Sequence, residues 1–253
     1  MKKLLLAAIC LLSTGSAMAL DNEPKEGVTS MAFLGLTTSH IRGNVYDAGL
    51  WKYKSKVGGT LGLRLDYVLP NAHGTYITGG VDWTMKGGKY STPAVYVNPA
   101  DILDTLTEDA TVKANLHYME IPIRVGFRYN VNKQIGVYGE LGPYFAIGVG
   151  GKHKYSVDAD GTIWNEIEEA NTWKAFKKSQ RNVNFQRWDC GLGFRVGAEY
   201  NKHYNLMFGC DWGFTDMYRD DYRDAVYPIA KAAGYTLDKV KNFQFSLAFG
   251  YRF

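Results

Sequence analysis

The chain has 253 residues, with 29 basic and 25 acidic side chains, and two of the basic ones, Lys2 and Lys3, sit at its start. So even a balance gives no electrostatic reason to expect nucleic acid or a strongly acidic partner. With 28 glycines, 18 tyrosines and 12 phenylalanines against 7 prolines, the composition suits many strands joined by tight turns.

Residues 1–19 read as a cleaved signal peptide. Lys2 and Lys3 form its basic start, Leu4 to Leu12 an apolar run too short to span a bilayer, and Ala17-Met18-Ala19 an A-x-A cleavage site. Cys10 lies inside the apolar run rather than just after it, which argues against a lipoprotein. The mature chain, 20–253, is read as one domain. It offers no apolar stretch long enough for a membrane helix, so any bilayer-spanning role requires a closed barrel, which pairs every backbone group.

Alternating segments follow in chain order near 30–40, 58–69, 75–86, 117–130, 134–150, 187–200, 205–216 and 242–253. Eight strands is an allowed even count for an outer-membrane barrel, and the expected fold is all-β, antiparallel and up-and-down. Short turns fall at Pro70–Gly74, Val131–Lys133 and Asn201–Tyr204, each with turn-forming residues. Long connections fall at about 41–57, 87–116, 151–186 and 217–241. Short turns on the periplasmic side and long loops outside would put both termini in the periplasm.

Within the strands, charge keeps to one face. In the second strand Leu61, Leu63, Leu65 and Tyr67 alternate with Arg64 and Asp66. In the fourth, Met119, Ile121, Ile123 and Val125 alternate with Glu120 and Arg124. The inward set is Arg64, Asp66, Asp82, Lys86, Glu120, Arg124, Arg128, Glu140, Asp189, Arg195, Glu199, Asp211 and Arg252. A charge facing the bilayer centre would cost roughly 2–4 kcal/mol. An eight-stranded barrel has room inside for side chains only, so these residues are expected to form a salt-bridged plug rather than a pore. A proton or ion path is the alternative.

Aromatic residues bracket the apolar wall. Tyr67, Tyr129, Tyr200, Tyr251 and Phe253 lie outward beside the short turns and the C-terminus, whereas Trp83, Trp188, Trp212 and Phe214 lie outward near the opposite end. Two girdles of this kind belong at the edges of a membrane barrel. In the final strand Phe243, Phe245, Leu247, Phe249, Tyr251 and Phe253 share one face.

Chemistry is sparser. Cys190 and Cys210 fall out of register across their turn, so they read as free, lipid-facing small hydrophobes, with a disulfide as the alternative. His40, His117 and His153 fall near the expected outer rim, with Ser39 and Glu120 close by. Catalysis there needs a nucleophile, base and orienter in contact, and solvated rim residues are the default. Asp158, Asp160 and Gly161 have calcium-loop spacing, and Asp216, Asp220, Asp221 and Asp224 cluster with Arg219 and Arg223. Ordinary solvated turns explain both groups, so no metal or cofactor is expected. Ile163, Trp164, Ile167, Ala170, Trp173 and Phe176 recur at near-helical spacing, which suggests a short amphipathic helix. Tyr218, Tyr222, Tyr227 and Tyr235 make the last long connection suited to a surface contact.

Four segments resemble the PorT-like outer-membrane β-barrel family of the Bacteroidetes group. Tyr118–Phe127 resembles a Y-x-E-I-P strand and Val137–Ala146 a G-x-G-P-Y strand, with one more residue between Gly139 and Gly142. Arg187–Phe194 with Gly197–Tyr200 resembles R-x-D-x-G-x-x-x-G-x-E-Y, with two more residues between Gly191 and Gly197, and Trp83–Gly88 is similar to a Y-x-x-K-G strand end, with Trp83 in the place of the tyrosine. The resemblance runs from about Val28 to Phe253. It implies an outer-membrane barrel of a Gram-negative bacterium, a link to type IX secretion through the family's namesake, and a terminal strand with Phe249, Tyr251 and Phe253 read by the barrel-assembly machinery.

The reading from sequence is therefore a monomeric, non-enzymatic outer-membrane barrel in contact with lipid. Its lumen is filled, and its loops are expected to contact an unknown partner, with the resemblance pointing to secretion or envelope assembly. An outer-leaflet lipid-modifying enzyme is the alternative, and a small channel the third.

Overall fold

The computed structural model describes residues 27–43, 52–98, 101–157, 172–177, 185–220 and 239–253. The expected signal peptide, the calcium-like Asp158 to Gly161, the stretch from Ile163 to Ala170, and Asp221, Tyr222, Arg223, Asp224, Tyr227 and Tyr235 lie outside these residues. Among the described residues there are ten strands: β1 (Gly27–Arg42), β2 (Lys52–Lys54), β3 (Lys56–Val68), β4 (Thr75–Asn98), β5 (Asp101–Asn130), β6 (Ile135–Val157), β7 (Thr172–Lys174), β8 (Trp188–Tyr200), β9 (Tyr204–Gly213) and β10 (Lys241–Arg252). Eight of them close a ring in the order β4-β3-β1-β10-β9-β8-β6-β5, and β5 pairs back onto β4. Every ring pairing is antiparallel. The short β2 and β7 extend the wall beside β4 and β6.

Closure leaves no barrel strand with an unpaired edge, as a spanning sheet requires. First and last strands meet from Met31↔Arg252 to Arg42↔Lys241. The β8–β9 connection turns tightly at Asn201 (φ 54°) and Lys202 (φ 64°), the two left-handed residues that suit a twisted hairpin. In the β5–β6 turn, Asn132 Oδ1 accepts the backbone N–H groups of Gln134 and Ile135 at 2.8 and 2.7 Å.

Burial inverts the usual order of a soluble sheet. Leu63 is 66% exposed while its neighbour Arg64 is 2% exposed. A water-soluble barrel would gain nothing from that arrangement; a lipid-facing wall around a polar interior requires it.

The connections differ from those expected. Residues 87–98 and 101–116 continue β4 and β5 as one long hairpin, residues 151–157 continue β6, and 52–54 and 56–57 are strand. One-sided charge marks a strand only where one face meets lipid. In the sequence of these extensions polar residues fall at odd and even positions alike, so that signal lapses. Trp173 lies in β7 rather than in a helix, held by pairing with His153.

Candidate functional site

The barrel interior holds side chains in three tiers, set by the strand register. Nearest the short turns, Asp66 on β3 receives Arg128 from β5 at 2.8 Å and Arg252 from β10. Arg252 Nε also reaches Glu199 of β8 at 2.9 Å. The last strand is thereby tied across the lumen to β3 and β8.

The middle tier is the most connected. Arg64 Nη1 donates to Glu140 at 2.7 Å, and its Nη2 reaches Asp82 at 3.4 Å. Asp82 also receives Arg195 at 3.3 Å. Arg124 lies between Glu140 at 3.7 Å, Asp211 at 3.4 Å and Glu120 at 3.8 Å. Tyr76 donates its hydroxyl to Glu140 at 3.1 Å. The arginines use their flat faces too: Arg64 lies 4.8 Å from the Phe33 ring centre and Arg128 4.8 Å from that of Tyr76.

In the third tier Lys86 bridges Glu120 and Asp189, both at 3.0 Å, with the Tyr144 ring 4.0 Å from its ammonium. Asn242 donates to Asp189 at 3.2 Å. Above it an apolar layer of Ile41, Leu116, Tyr118, Phe185, Met217 and Val240 closes the barrel end. Every charged residue of the three tiers is buried. The chemistry this supports is mutual neutralisation, since a buried charge without its partner is strongly penalised.

Tyr76, Tyr118 and Gln244 also belong to this interior, although charge alone does not point to them. Their position in the alternation does: Tyr118 shares a face with Glu120.

Outside, Tyr67, Tyr129, Tyr200, Tyr251 and Phe253 are exposed beside the turns, and Trp188 and Phe214 are exposed near the other end. Trp83 and Trp212 are half-buried against neighbours, Trp83 stacked on His117 at 5.4 Å and Trp212 beside Phe243 at 5.9 Å. On the last strand Phe249 stacks on Tyr204 and Phe253 meets Tyr251 edge-on. Cys190 and Cys210 are free thiols. Cys210 occupies an outward position but is buried between the paired Phe194 and Phe245, so it is covered rather than facing lipid.

The rim histidines do not assemble. His40 and Ser39 are consecutive on β1 and take opposite faces, and Ser39 bonds to the Lys56 carbonyl. His117 stacks outside on Trp83, while Glu120 points into the lumen. His153 is inside, edge-on to Phe185 at 5.6 Å, where burial pushes its imidazole down to about 4. Asp216 Oδ1 accepts the backbone N–H groups of Tyr218 and Val240, both at 3.2 Å, which is the work of a turn. Among the described residues no acidic, histidine or cysteine cluster is arranged to hold a metal. Phe176 packs edge-on against Tyr118, and Tyr218 stacks on Phe185.

A family model described as "Outer membrane protein beta-barrel domain" matches residues 27–219. Among solved structures, the chain is similar to Ail, the attachment invasion locus protein of Yersinia pestis, at 17% identity and a TM-score of 0.40, covering 90% of this chain and 100% of that one. It is also similar to the outer membrane protein OprG of Pseudomonas aeruginosa, at 14% identity and a TM-score of 0.41, covering 91% and 98%. No curated protein matches the sequence.

Proposed function

The chain belongs to the outer membrane protein β-barrel domain family, and from that premise we propose a non-enzymatic, non-conducting, monomeric envelope protein that acts through its surface. The observation that carries this reading is the lumen. Arg64, Asp82, Glu140, Arg195, Arg124 and Asp211 are buried and linked side chain to side chain across the barrel. A hydrated ion would have to break several of these pairs to pass. With the interior committed to its own charges, contact with other molecules falls to the outer wall and the two ends.

A periplasmic position for both termini is part of this reading, supported by the tight turns at 69–74, 131–134 and 201–203, which lie at the end where β1 begins and β10 finishes. The resemblance to PorT-like proteins supports a contact within a secretion or envelope-assembly system. The aromatic terminal strand would serve the barrel-assembly machinery during insertion. The test is quantitative proteomics of medium and periplasm from a strain lacking the chain. Secreted cargo should fall in the medium and build up in the periplasm; an unchanged secretome contradicts the secretion link.

A further inference from the structure

Lysines face one another across the outer wall in a way the lumen does not explain. Lys54 pairs with Lys89, Lys89 with Lys113, and Lys113 with Lys154, so β2, β4, β5 and β6 each contribute one lysine to a single row. Two residues nearer the barrel body on β6, Lys152 pairs with Lys174 of β7. The row points outward: Ala114 and His153, next to Lys113 and Lys154, are buried inside, and Gly88, next to Lys89, faces the inner Ile41. Like charges set directly opposite on neighbouring strands destabilise a sheet. Among the described residues, Lys54, Lys89, Lys113, Lys152 and Lys174 take part in no ion pair. Those five ammonium groups have no anion beside them among the described residues.

A cleft of about 800 Å³ opens beneath the row. Lys56, Lys152, Lys174, Lys177 and Arg187 give it cationic walls, and the His117 ring lies among them. Its lower side is apolar, formed by Val57, Met85 and Val149, and there it runs into the lipid-facing surface. A bulge sets this shape, because Val149 is the residue skipped between the Tyr118↔Gly148 and His117↔Gly150 pairs. The His117 stack on Trp83 ties the cleft to the aromatic belt that marks the membrane edge. Neighbouring strands are about 4.8 Å apart, so a four-lysine row is about 14 Å wide, and the lower pair sits about 7 Å below it. That footprint is broader than one phosphate.

We propose that this rim binds the phosphorylated headgroup of an outer-leaflet glycolipid carrying more than one phosphate. The lysine ammonium groups donate charge-assisted hydrogen bonds to phosphate oxygens, and the acyl chains lie along the apolar wall below the cleft. Continuity between cationic cleft and lipid-facing wall selects a lipid over a soluble anion. The proposal rests on the membrane placement and orientation given under Proposed function.

The test is native mass spectrometry of the full barrel released from phosphatidylcholine vesicles that contain diphosphorylated lipid A, its dephosphorylated form, or phosphatidylglycerol. Wild type is compared with K113Q/K152Q/K174Q and with K133Q/K202Q, a control at the opposite end. Wild type and control should retain diphosphorylated lipid A, and the triple variant should retain about tenfold less or lower still, since each lysine near an anionic surface contributes measurably. Equal retention by the triple variant, or equal retention of the dephosphorylated lipid or of phosphatidylglycerol, overturns the proposal. So does full displacement by inorganic phosphate, which would make the cleft a simple anion site. Vesicle insertion, followed by heat-modifiable gel mobility, is read separately. Failed insertion refutes the membrane placement, whereas intact insertion without lipid retention refutes only this site.

Discussion

Arg64 holds two carboxylates and an aromatic face at once, joining Glu140, Asp82 and Phe33 at the level where the barrel is most densely charged. Replacing it by methionine keeps most of the volume and leaves the carboxylates under-neutralised. Arg64→Met should cost about 3–5 kcal/mol in urea unfolding of the lipid-reconstituted barrel. Adding Glu140→Leu should recover part of that loss, because Asp82 retains Arg195 and Arg124 retains Asp211. Additive losses in the double variant would mean that the two residues are not coupled. His153 gives a second residue-scale prediction. Its imidazole, pushed down to about 4 by burial, stays neutral in the folded chain while the unfolded chain takes up a proton near pH 6.5. Its contribution to stability is therefore fully present above about pH 6.5 and is lost as pH falls through about 4. Unfolding midpoints across this window should drop for wild type and stay flatter for His153→Leu; parallel profiles would show that His153 does not carry the effect.

At the scale of the strand, close approach decides what the inner face tolerates. A Cβ at Gly193 on β8 would collide with Asp211 Oδ1 and lie 2.7 Å from Arg124 Nη2, so the bare backbone gives those two side chains room to meet. Gly193→Val should destabilise the barrel by about 1–3 kcal/mol through overpacking. Gly139→Val, whose added Cβ meets nothing closer than 3.9 Å, should be nearly neutral in the same unfolding assay. A large loss at Gly139, or none at Gly193, would contradict this packing. The strands themselves were largely legible in the sequence, since alternation with charge on one face marks Arg64 and Asp66, or Glu120 and Arg124, as inward. Which carboxylate meets which arginine was not: Arg64 and Glu140 are 76 positions apart, and only the register across several strands puts them at one height. The long β4–β5 hairpin was also hidden, because Lys89 and Lys113 lie beyond the lipid-facing region where one-sided charge carries information. The lysine row appears only once four strands are aligned.

For the whole molecule, eight strands close around a three-tier charge network with an apolar layer above it. The outside is apolar between two aromatic belts. The proposed function follows from that combination: a barrel that spans without conducting and meets other molecules at its surface. Single-channel recording of the purified barrel in planar bilayers tests this most directly. A silent bilayer is expected, both for wild type and across moderate voltage, with insertion verified by heat-modifiable mobility of the same sample. Discrete, reproducible conductance steps from the inserted wild-type barrel would contradict the filled lumen and the surface-based function built on it.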